Sequence, residues 1–219
     1  MARLPRIALA GLPYHVTQRG NRRQPVFFCD EDYRTYLALL QEASQRWQLH
    51  IWAYCLMTNH VHLVVWPQHD QSLTKAISET HRRYTRHINF REGWRGYLWQ
   101  GRFGSVPLDD QHLIAAMRYV ERNPVAAKLV NSAADYPWSS AKAHAFGIAD
   151  PLLSACFLTE QIPNWTEFLT DADEPALVRR LELQARTGRP YGDTDFLEKL
   201  EQTIGYRIKR LPAGRKRRK

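Results

Sequence analysis

The amino-acid sequence predicts an α+β fold, with a ferredoxin-like antiparallel sheet and helices mainly on one face, plus a small helical C-terminal appendage and a basic tail. Three observations predict it. Segments alternate in the order β, α, β-hairpin, α, β, α. The strands of the central hairpin are joined by only two residues. The regular pattern then weakens beyond Pro137, where short helical segments follow.

Five segments have the alternation or the composition of strands. They span residues 13–19, 26–28, 50–57, 60–66 and 102–108. Thr58-Asn59 separates the third segment from the fourth, which is the spacing of a β-hairpin. A turn at residues 21–25 follows the first strand and leads to the short second one.

Six segments are typical of helices, with apolar stripes or capping residues at their ends. They span residues 31–48, 72–90, 110–123, 137–146, 174–187 and 193–205. Asp30 is a suitable N-cap for the first, and Asp109 or Asp110 for the third. Pro124 predicts that the third helix ends near Asn123. We therefore divide the chain into a main domain (1–146), a helical appendage (147–206) and a basic tail (207–219).

The net charge of +9 is concentrated in the tail, because residues 207–219 contain eight basic residues and no acid. Residues 1–23 and 81–95 each carry five arginines, the second cluster against one glutamate. Such local clusters indicate a nucleic-acid partner, whereas the tail alone would equally fit a solvated segment. Three cysteines without a pairing or metal-binding pattern suit the cytoplasm. No apolar run approaches the ~20 residues of a membrane span.

His60 and His62 are the most informative pair in the sequence. Side chains alternate across a strand, so both imidazoles share one face while Val61 packs on the other. Two imidazoles offer two neutral nitrogen ligands for a divalent metal, and they leave further positions for a third group and for substrate. A histidine pair on a half-buried strand is more often structural, so the metal interpretation needs a partner elsewhere in the chain.

Tyr119 and Asn123 provide that partner. They are four residues apart, so on a helix they lie on one face, one turn apart. The Asn123 amide oxygen is a hard third ligand, and a nearby cation would activate the Tyr119 phenol as a nucleophile. Attack on phosphorus would keep the bond energy in a phosphotyrosine. A single tyrosine, however, usually only packs its ring against the core.

Four sequence elements together resemble those of the HUH single-tyrosine transposases, and among these the REP-associated tyrosine transposases (RAYTs). They are Tyr14-His15-Val16 with Arg19-Gly20, residues 57–63 (MTNHVHL), residues 118–124 (RYVERNP) and residues 136–140 (YPWSS). The resemblance covers about residues 3–146. Thr187-Gly188-Arg189-Pro190 and the basic tail also look like the end of longer RAYTs. Ala126 departs from the pattern, because many relatives carry an arginine there.

The resemblance implies that His60, His62 and Asn123 bind Mg²⁺ or Mn²⁺ and that Tyr119 is the nucleophile. The ligand types alone would also admit zinc. The substrate would be single-stranded DNA with an imperfect hairpin, the REP element, cut near a short guide sequence. The products would be a 5′-phosphotyrosine and a free 3′-hydroxyl. We expect a cytoplasmic, nucleoid-associated monomer without a membrane partner.

Nine arginines are candidates for DNA contacts. They are Arg3, Arg6, Arg19, Arg22, Arg23, Arg82, Arg83, Arg86 and Arg102. Arginine can contact phosphates and read guanine edges, although arginines on a solvated edge would look the same. Trp94, Tyr97, Trp99 and Phe103 lie among arginines, a pattern that suits stacking on unpaired bases. At least two of these four rings are expected to belong to the core. The tail would add salt-sensitive affinity.

Two alternatives stay open at this point. A domesticated transposase could bind REP DNA without cutting it. A metal hydrolase that uses water could cut DNA while Tyr119 is only structural. The second is less favoured, because the His-x-His strand lacks a nearby carboxylate base such as the glutamate of HExxH.

Overall fold

The centre of the fold is a four-stranded antiparallel sheet, seen in a computed structural model that describes residues 6–157, 159–172 and 174–208. The strands are Tyr14–Arg19 (β1), Leu49–Met57 (β2), His60–Pro67 (β3) and Gly104–Pro107 (β4). Their order in the sheet is β2-β3-β1-β4. The hairpin partner β3 therefore lies between β1 and β2, as in ferredoxin-like folds. The predicted α+β class and antiparallel sheet are confirmed.

Six helices of the described chain agree in place with the predicted segments and differ at their ends, whereas the short helix Trp165–Phe168 has no predicted counterpart. The helices are Asp30–Trp47 (α1), Ser72–Glu92 (α2), Asp110–Ala126 (α3), Ala141–Phe146 (α4), Trp165–Phe168 (α5), Pro175–Thr187 (α6) and Thr194–Ile204 (α7). Helix α3 continues through Pro124 instead of ending before it, and α4 begins at Ala141 instead of at residue 137. No helix within the described ranges has a stretch both long and apolar enough to cross a bilayer. The tail from residue 209 onward lies outside the described residues.

Two local predictions are wrong. Residues 26–28 form no strand: Val26 and Phe27 donate their backbone N–H groups to the carbonyl of Thr58, and the segment joins no ladder. Asp30 is the first residue of α1, and Cys29 occupies the cap position. The Asp32 carboxylate accepts hydrogen bonds from the backbone N–H groups of Phe28 and Cys29, at 2.8 and 3.3 Å, and so replaces the expected cap.

The sheet separates two hydrophobic cores. The first lies under α1 and α2, where Tyr36 and Tyr84 pack against apolar side chains of β1 and β3. The second lies on the opposite face, where α3 and α6 pack against side chains of β2, β3 and β4. Helices α1 and α2 lie on one face of the sheet, as predicted, but α3 and α6 cover the other face as well. The position of α3 on that second face determines where the candidate site lies.

Both edges of the sheet are covered by irregular segments that follow α3 in the chain. Beside β2, Trp138 accepts a hydrogen bond from the Leu56 N–H at 2.8 Å, and Ser140 donates to the Tyr54 carbonyl at 3.0 Å. Beside β4, the Tyr191 N–H donates to the Pro107 carbonyl at 2.9 Å. These bonds satisfy edge groups that would otherwise be open to pairing with another chain.

His81 is a buried histidine of the first core, and its environment predicts an acid-sensitive fold. A ring nitrogen lies 3.0 Å from the Tyr36 hydroxyl. Burial, followed by the charge of Arg6, lowers the pKa of His81 to about 3. Above pH ~6.5 the imidazole is neutral in both folded and unfolded chains. As the pH falls from there towards 3, only the unfolded chain takes up the proton, so stability is lost.

We therefore expect the pH change from 7.5 to 5 to cost wild type about 2 kcal/mol more stability than it costs His81→Gln. Urea unfolding of both proteins at the two pH values measures this difference. His87→Gln, at an exposed position of the same helix, is the matched control and should behave as wild type. Equal losses in wild type and His81→Gln would contradict the prediction.

Candidate active site

Three histidines meet on one face of the sheet, at the junction of β1 and β3. The register pairs Arg19 with His60, Thr17 with His62 and His15 with Val64, so His15 and His62 are diagonal neighbours. The rings of His60 and His62 lie 4.9 Å apart, centre to centre. The rings of His15 and His62 are stacked at 5.2 Å. The His-x-His prediction of two imidazoles on one face therefore agrees with the structure.

The hydrogen bonds of His60 define which nitrogen is free. Asn59 donates its side-chain N–H to the Arg23 carbonyl at 2.9 Å, which directs its amide oxygen towards His60. That oxygen lies 2.7 Å from His60 Nδ1. Since an amide oxygen can only accept, His60 carries its proton on Nδ1. The lone pair of Nε2 is then available to a ligand.

His62 is held in a similar way by His15. The His62 Nδ1 atom lies 3.0 Å from His15 Nε2, so one ring donates and the other accepts. Both side chains are buried, and no hydrogen-bond partner is found for His15 Nδ1. With its Nδ1 engaged, His62 also has only Nε2 left for a metal. A hydrogen bond behind a ligating imidazole fixes its ring orientation and tautomer.

All three imidazoles are neutral at physiological pH. Burial lowers the pKa of His15 to about 4. Burial, followed by the charge of Arg19, lowers the pKa of His60 to about 4. Burial and then the neighbouring His60, His15 and Arg19 hold the pKa of His62 well below its ordinary value. Neutral imidazoles keep the lone pairs that metal ligation requires.

Tyr119 packs against the histidines from the helix that covers their face of the sheet. It is on α3, and its ring meets those of His62 and His15 edge-on, with centroids 5.5 and 5.8 Å apart. The side chain is 8% exposed, in the core between α3 and the sheet. Helix α3 therefore brings Tyr119 to the histidine face, although almost sixty residues separate them in the sequence.

Asn123 follows Tyr119 by one turn, within the helix and not at its end. Its side-chain N–H donates to the Tyr119 backbone carbonyl at 2.9 Å. The amide oxygen keeps its acceptor capacity. The helix continues to Ala126 because Pro124 lacks only one N–H donor, and the later N–H of Ala127 still reaches the Asn123 carbonyl. Asn123 is half-buried.

Glu121 anchors α3 on its other side. Its carboxylate is fully buried and accepts hydrogen bonds from Ser140 Oγ, from His144 Nδ1 at 2.6 Å and from Trp165 Nε1 at 2.8 Å. These donors come from the segment before α4, from α4 and from α5. The two motif elements around Tyr119 and residues 136–140 therefore contact each other directly. This network restrains the helix that carries Tyr119.

Two imidazoles do not complete a metal site. Within residues 6–157, 159–172 and 174–208 no cluster of three or more His, Cys, Asp or Glu side chains has the arrangement of a metal site. His15 does not add a ligand here, because its Nε2 is directed at His62. The two Nε2 atoms of His60 and His62 suit a divalent cation whose other ligands are oxygens, from an amide such as that of Asn123 or from a bound phosphate.

The candidate arginines fall into three groups. Arg19, Arg22 and Arg23 lie at the His60 end of β1, where Arg22 and Arg23 are exposed and have positive φ values of 54° and 62°. Gly20 allows this turn to close, because a Cβ there would lie 2.3 Å from the Gln24 carbonyl oxygen. Arg82, Arg86 and Arg102 are exposed elsewhere on the same protein surface.

The remaining candidates are engaged with the protein itself or not described. Arg6 donates to the Phe103 carbonyl at 2.7 Å, and its guanidinium lies 3.5 Å from the centre of the Phe103 ring. Arg83 forms ion pairs with Glu42 at 2.6 Å and Glu79 at 3.7 Å. Arg3 lies outside the described residues. Arg6 and Arg83 are therefore less available to a ligand than Arg22, Arg23 or Arg86.

The sequence predicts neither His15 nor Asn59 as a site residue, although each contacts one of the two predicted metal ligands. Both residues lie within the motif elements, and this is the one feature of the sequence that could have identified them. Their contacts depend on strand register and on side-chain rotamers. Neither is fixed by the spacing of residues along one strand.

Comparisons with known proteins show the family of the chain and a solved structure of similar fold. The model of the family described as "Transposase IS200 like" matches residues 8–123, just over half of the chain. A solved REP-associated tyrosine transposase bound to a REP hairpin superposes with a TM-score of 0.54 and 18% identity, over 71% of this chain and 93% of that one. A protein assigned as a transposase from Deinococcus radiodurans R1 gives a TM-score of 0.38 and 23% identity, over 55% and 97%. No curated protein sequence gives a significant match.

Proposed function

Because the chain belongs to the IS200-like transposase family, we propose that it is a metal-dependent single-strand DNA endonuclease and strand transferase with Tyr119 as its covalent nucleophile. One observation carries the proposal. The ring of Tyr119 lies 5.5 Å from that of His62, on the face of the sheet that also presents His60. A phenol beside two neutral imidazoles is the arrangement that tyrosine attack near a cation requires.

In the proposed reaction Tyr119 gives its proton to solvent water and its oxygen attacks a DNA phosphorus. A bond forms between the phenol oxygen and phosphorus, and the bond from phosphorus to the 3′-oxygen breaks. The 3′-oxygen takes up a proton and leaves as a free hydroxyl, while the 5′-phosphate stays on Tyr119. A second DNA 3′-hydroxyl can reverse the step, because the phosphotyrosine keeps the energy of the original bond. Glu121 and the sheet hold α3 so that the phenol stays on the histidine face.

The residues present fit a divalent metal. His60 and His62 would hold it through Nε2, with Asn123 as a third ligand, and Mg²⁺ or Mn²⁺ is the proposed ion. When bound, the cation would stabilise negative charge on the phenolate and on the phosphate oxygens. Asn59 and His15 would orient the two imidazoles. The donor set contains no carboxylate, so zinc belongs in any comparison of metals.

The proposed substrate is single-stranded DNA that carries an imperfect hairpin of the REP type. The solved transposase of similar fold was bound to such a hairpin. The exposed Arg22 and Arg23, at the His60 end of β1, are the proposed contacts next to the hairpin, together with Arg19. We propose that the protein acts as a monomer at the nucleoid, in a cytoplasm that keeps its three cysteines reduced.

The direct test incubates the protein with labelled DNA and looks for a covalent product under denaturing conditions. A panel of single-stranded imperfect hairpins with flanking sequence is compared with the same sequences as full duplexes, with Mg²⁺, Mn²⁺, Zn²⁺ or EDTA. We expect a protein–DNA adduct and a free 3′-hydroxyl from at least one hairpin, with Mg²⁺ or Mn²⁺ and not with EDTA. Cleavage without an adduct would instead favour a hydrolase, and binding without cleavage a domesticated binding protein.

The contact between His15 and His62 leads to a separate prediction. Replacing His15 by alanine removes the partner of His62 Nδ1, so the imidazole can rotate and change tautomer. We expect His15→Ala to weaken Mn²⁺ binding by about 10- to 100-fold. Titration followed by Mn²⁺ electron paramagnetic resonance measures this without DNA or turnover. His87→Ala is the matched control at an exposed site. Unchanged Mn²⁺ affinity in a folded His15→Ala protein would show that His15 does not position the ligand.

A further inference from the structure

Three aromatic side chains within eight residues of sequence are exposed at the end of α2 and in the loop that follows it. Phe90 is 89% exposed, Tyr97 is 88% exposed and Trp94 is 44% exposed. Of the four rings that the sequence placed among arginines, Trp99 and Phe103 are buried in the first core. Trp94 and Tyr97 remain outside, and Phe90 joins them. Large apolar rings grouped on a surface indicate a binding region.

The surroundings of these rings are strongly basic. A shallow depression of about 580 Å³ is lined by Phe90 and Trp94 together with Arg82, Arg86 and Arg95. None of the described residues that line it carries a carboxylate. We call Phe90, Trp94, Tyr97, Arg82, Arg86 and Arg95 the aromatic–arginine surface. Its composition selects for a ligand that has both flat apolar faces and negative charge.

Two of its arginines are not committed to acidic neighbours. Arg86 and Arg95 make no hydrogen bond or ion pair with any residue in the described part of the chain. Arg83 and Arg91 lie on α2, as Arg86 does. Arg83 forms an ion pair with Glu42, and Arg91 forms one with Asp32. The contrast matters because a guanidinium without an intramolecular partner can bind a phosphate without first breaking a contact.

The loop backbone and the Trp94 ring are held in place by the protein. The Trp94 N–H donates to the Asn89 carbonyl at 2.9 Å, and the Asn89 side chain donates to the Gly96 carbonyl at 3.0 Å. The Trp94 ring also meets Phe28 edge-on, with centroids 5.6 Å apart. Binding of a ligand to this loop therefore loses little conformational entropy of the backbone.

The surface is connected to the candidate active site through the backbone. The loop after Tyr97 hydrogen-bonds to the end of β1: Asn21 donates to the Leu98 carbonyl and Gln100 donates to the Arg19 carbonyl, both at 2.8 Å. Arg19 is the register partner of His60. The loop therefore borders the end of the sheet at which His60 lies.

We infer that the aromatic–arginine surface binds the unpaired nucleotides that flank the hairpin, a role that rests on the proposed function. Bases would stack on Phe90, Trp94 and Tyr97, while Arg86 and Arg95 contact the phosphates between them. Every base has a flat face, so stacking of this kind tolerates many sequences and adds affinity without selecting one. Recognition of the hairpin itself would then belong to other residues.

The test measures the affinity of labelled DNA by fluorescence anisotropy, with EDTA present so that no cleavage occurs. Two substrates share one hairpin, and only one of them carries a single-stranded flank of about ten nucleotides. We expect Phe90→Ala/Tyr97→Ala to weaken binding of the flanked hairpin about 10-fold or more and that of the blunt hairpin by less than about 2-fold. Both positions are solvent-exposed, so the fold is preserved. Phe146→Ala, at an exposed ring on α4, is the matched control.

Equal losses for the two substrates, or no loss for either, would overturn the inference. A third substrate with an RNA flank distinguishes a general single-strand platform from one that excludes the 2′-hydroxyl. Binding here is measured without metal or turnover. If the protein never forms a covalent adduct but shows the flank-dependent loss of affinity, the role of this surface is supported and the proposed cleavage chemistry is contradicted. If it forms the adduct without the flank-dependent loss, only the cleavage chemistry is supported.

Discussion

Tyr119→Phe is expected to abolish the covalent protein–DNA adduct while leaving DNA binding nearly intact. The substitution removes one oxygen, and that oxygen is the atom proposed to attack phosphorus. The ring itself can stay edge-on to His62 and His15, where its centroid distances are 5.5 and 5.8 Å. We expect adduct formation to fall by roughly three orders of magnitude or more, as with other essential nucleophiles. The measurement is the rate of adduct formation on a cleavable hairpin under single-turnover conditions.

Three controls make the result specific. Tyr206→Phe, near the end of the described chain, should react at the wild-type rate. Thermal unfolding of Tyr119→Phe should stay within about 1 kcal/mol of wild type, because only one hydroxyl is lost. Anisotropy with uncleaved DNA should give affinities within a factor of about 2. If Tyr119→Phe still formed the adduct at the normal rate, another residue would be the nucleophile. If it cut DNA without an adduct, water would be.

Glu121→Ala should cause the largest loss of stability. The wild-type carboxylate satisfies Ser140, His144 and Trp165 in a site with no access to water. Alanine leaves the buried Trp165 indole N–H without this acceptor and opens a cavity, and it removes a partner from the half-buried His144 and from Ser140, which keeps the Tyr54 carbonyl at 3.3 Å. An unsatisfied buried group costs about 1–3 kcal/mol. We expect a destabilisation of about 3 kcal/mol or more, measured by urea unfolding at pH 7.5. The same network restrains α3, so adduct formation should also fall at temperatures where the variant is still folded.

Glu121→Gln provides a graded comparison, because the amide keeps one acceptor oxygen and should lose less stability than alanine. Glu31→Ala is the matched surface control, since that side chain is 69% exposed. It should change stability by no more than about 0.5 kcal/mol. A loss of similar size in Glu31→Ala and Glu121→Ala would mean that the buried network contributes nothing specific to the fold.

Much of the sheet could be predicted because its determinants are local. Alternation over residues 13–19 and 60–66, and the two-residue connection Thr58-Asn59, are readable from the sequence and reappear as β1, β3 and their hairpin. The wrong strand at residues 26–28 shows the limit of this approach. Apolar composition identifies buried residues correctly, but whether they join a ladder depends on a partner strand with a free edge.

The candidate site was only partly readable for the same physical reason. His60 and His62 share a face by strand geometry, and Tyr119 and Asn123 share one by helix geometry. That α3 packs on the histidine face was suggested by the resemblance to a family, because no local pattern encodes a contact between distant elements. His15 and Phe90 were missed. The first depends on cross-strand register, and the second on which rings the loop leaves outside the core.

The residues that pack around α3 affect the order in which the two cores can form during synthesis of the chain. The second core contains Trp165, Leu181 and Tyr191, all of which follow Tyr119 by more than forty residues. Chains fold from the N-terminus as they leave the ribosome. The buried residues of the first core end at Leu152, whereas Glu121 has to wait for Trp165. The packing around the helix that carries Tyr119 would therefore be completed after that of the first core, late in the synthesis of the chain.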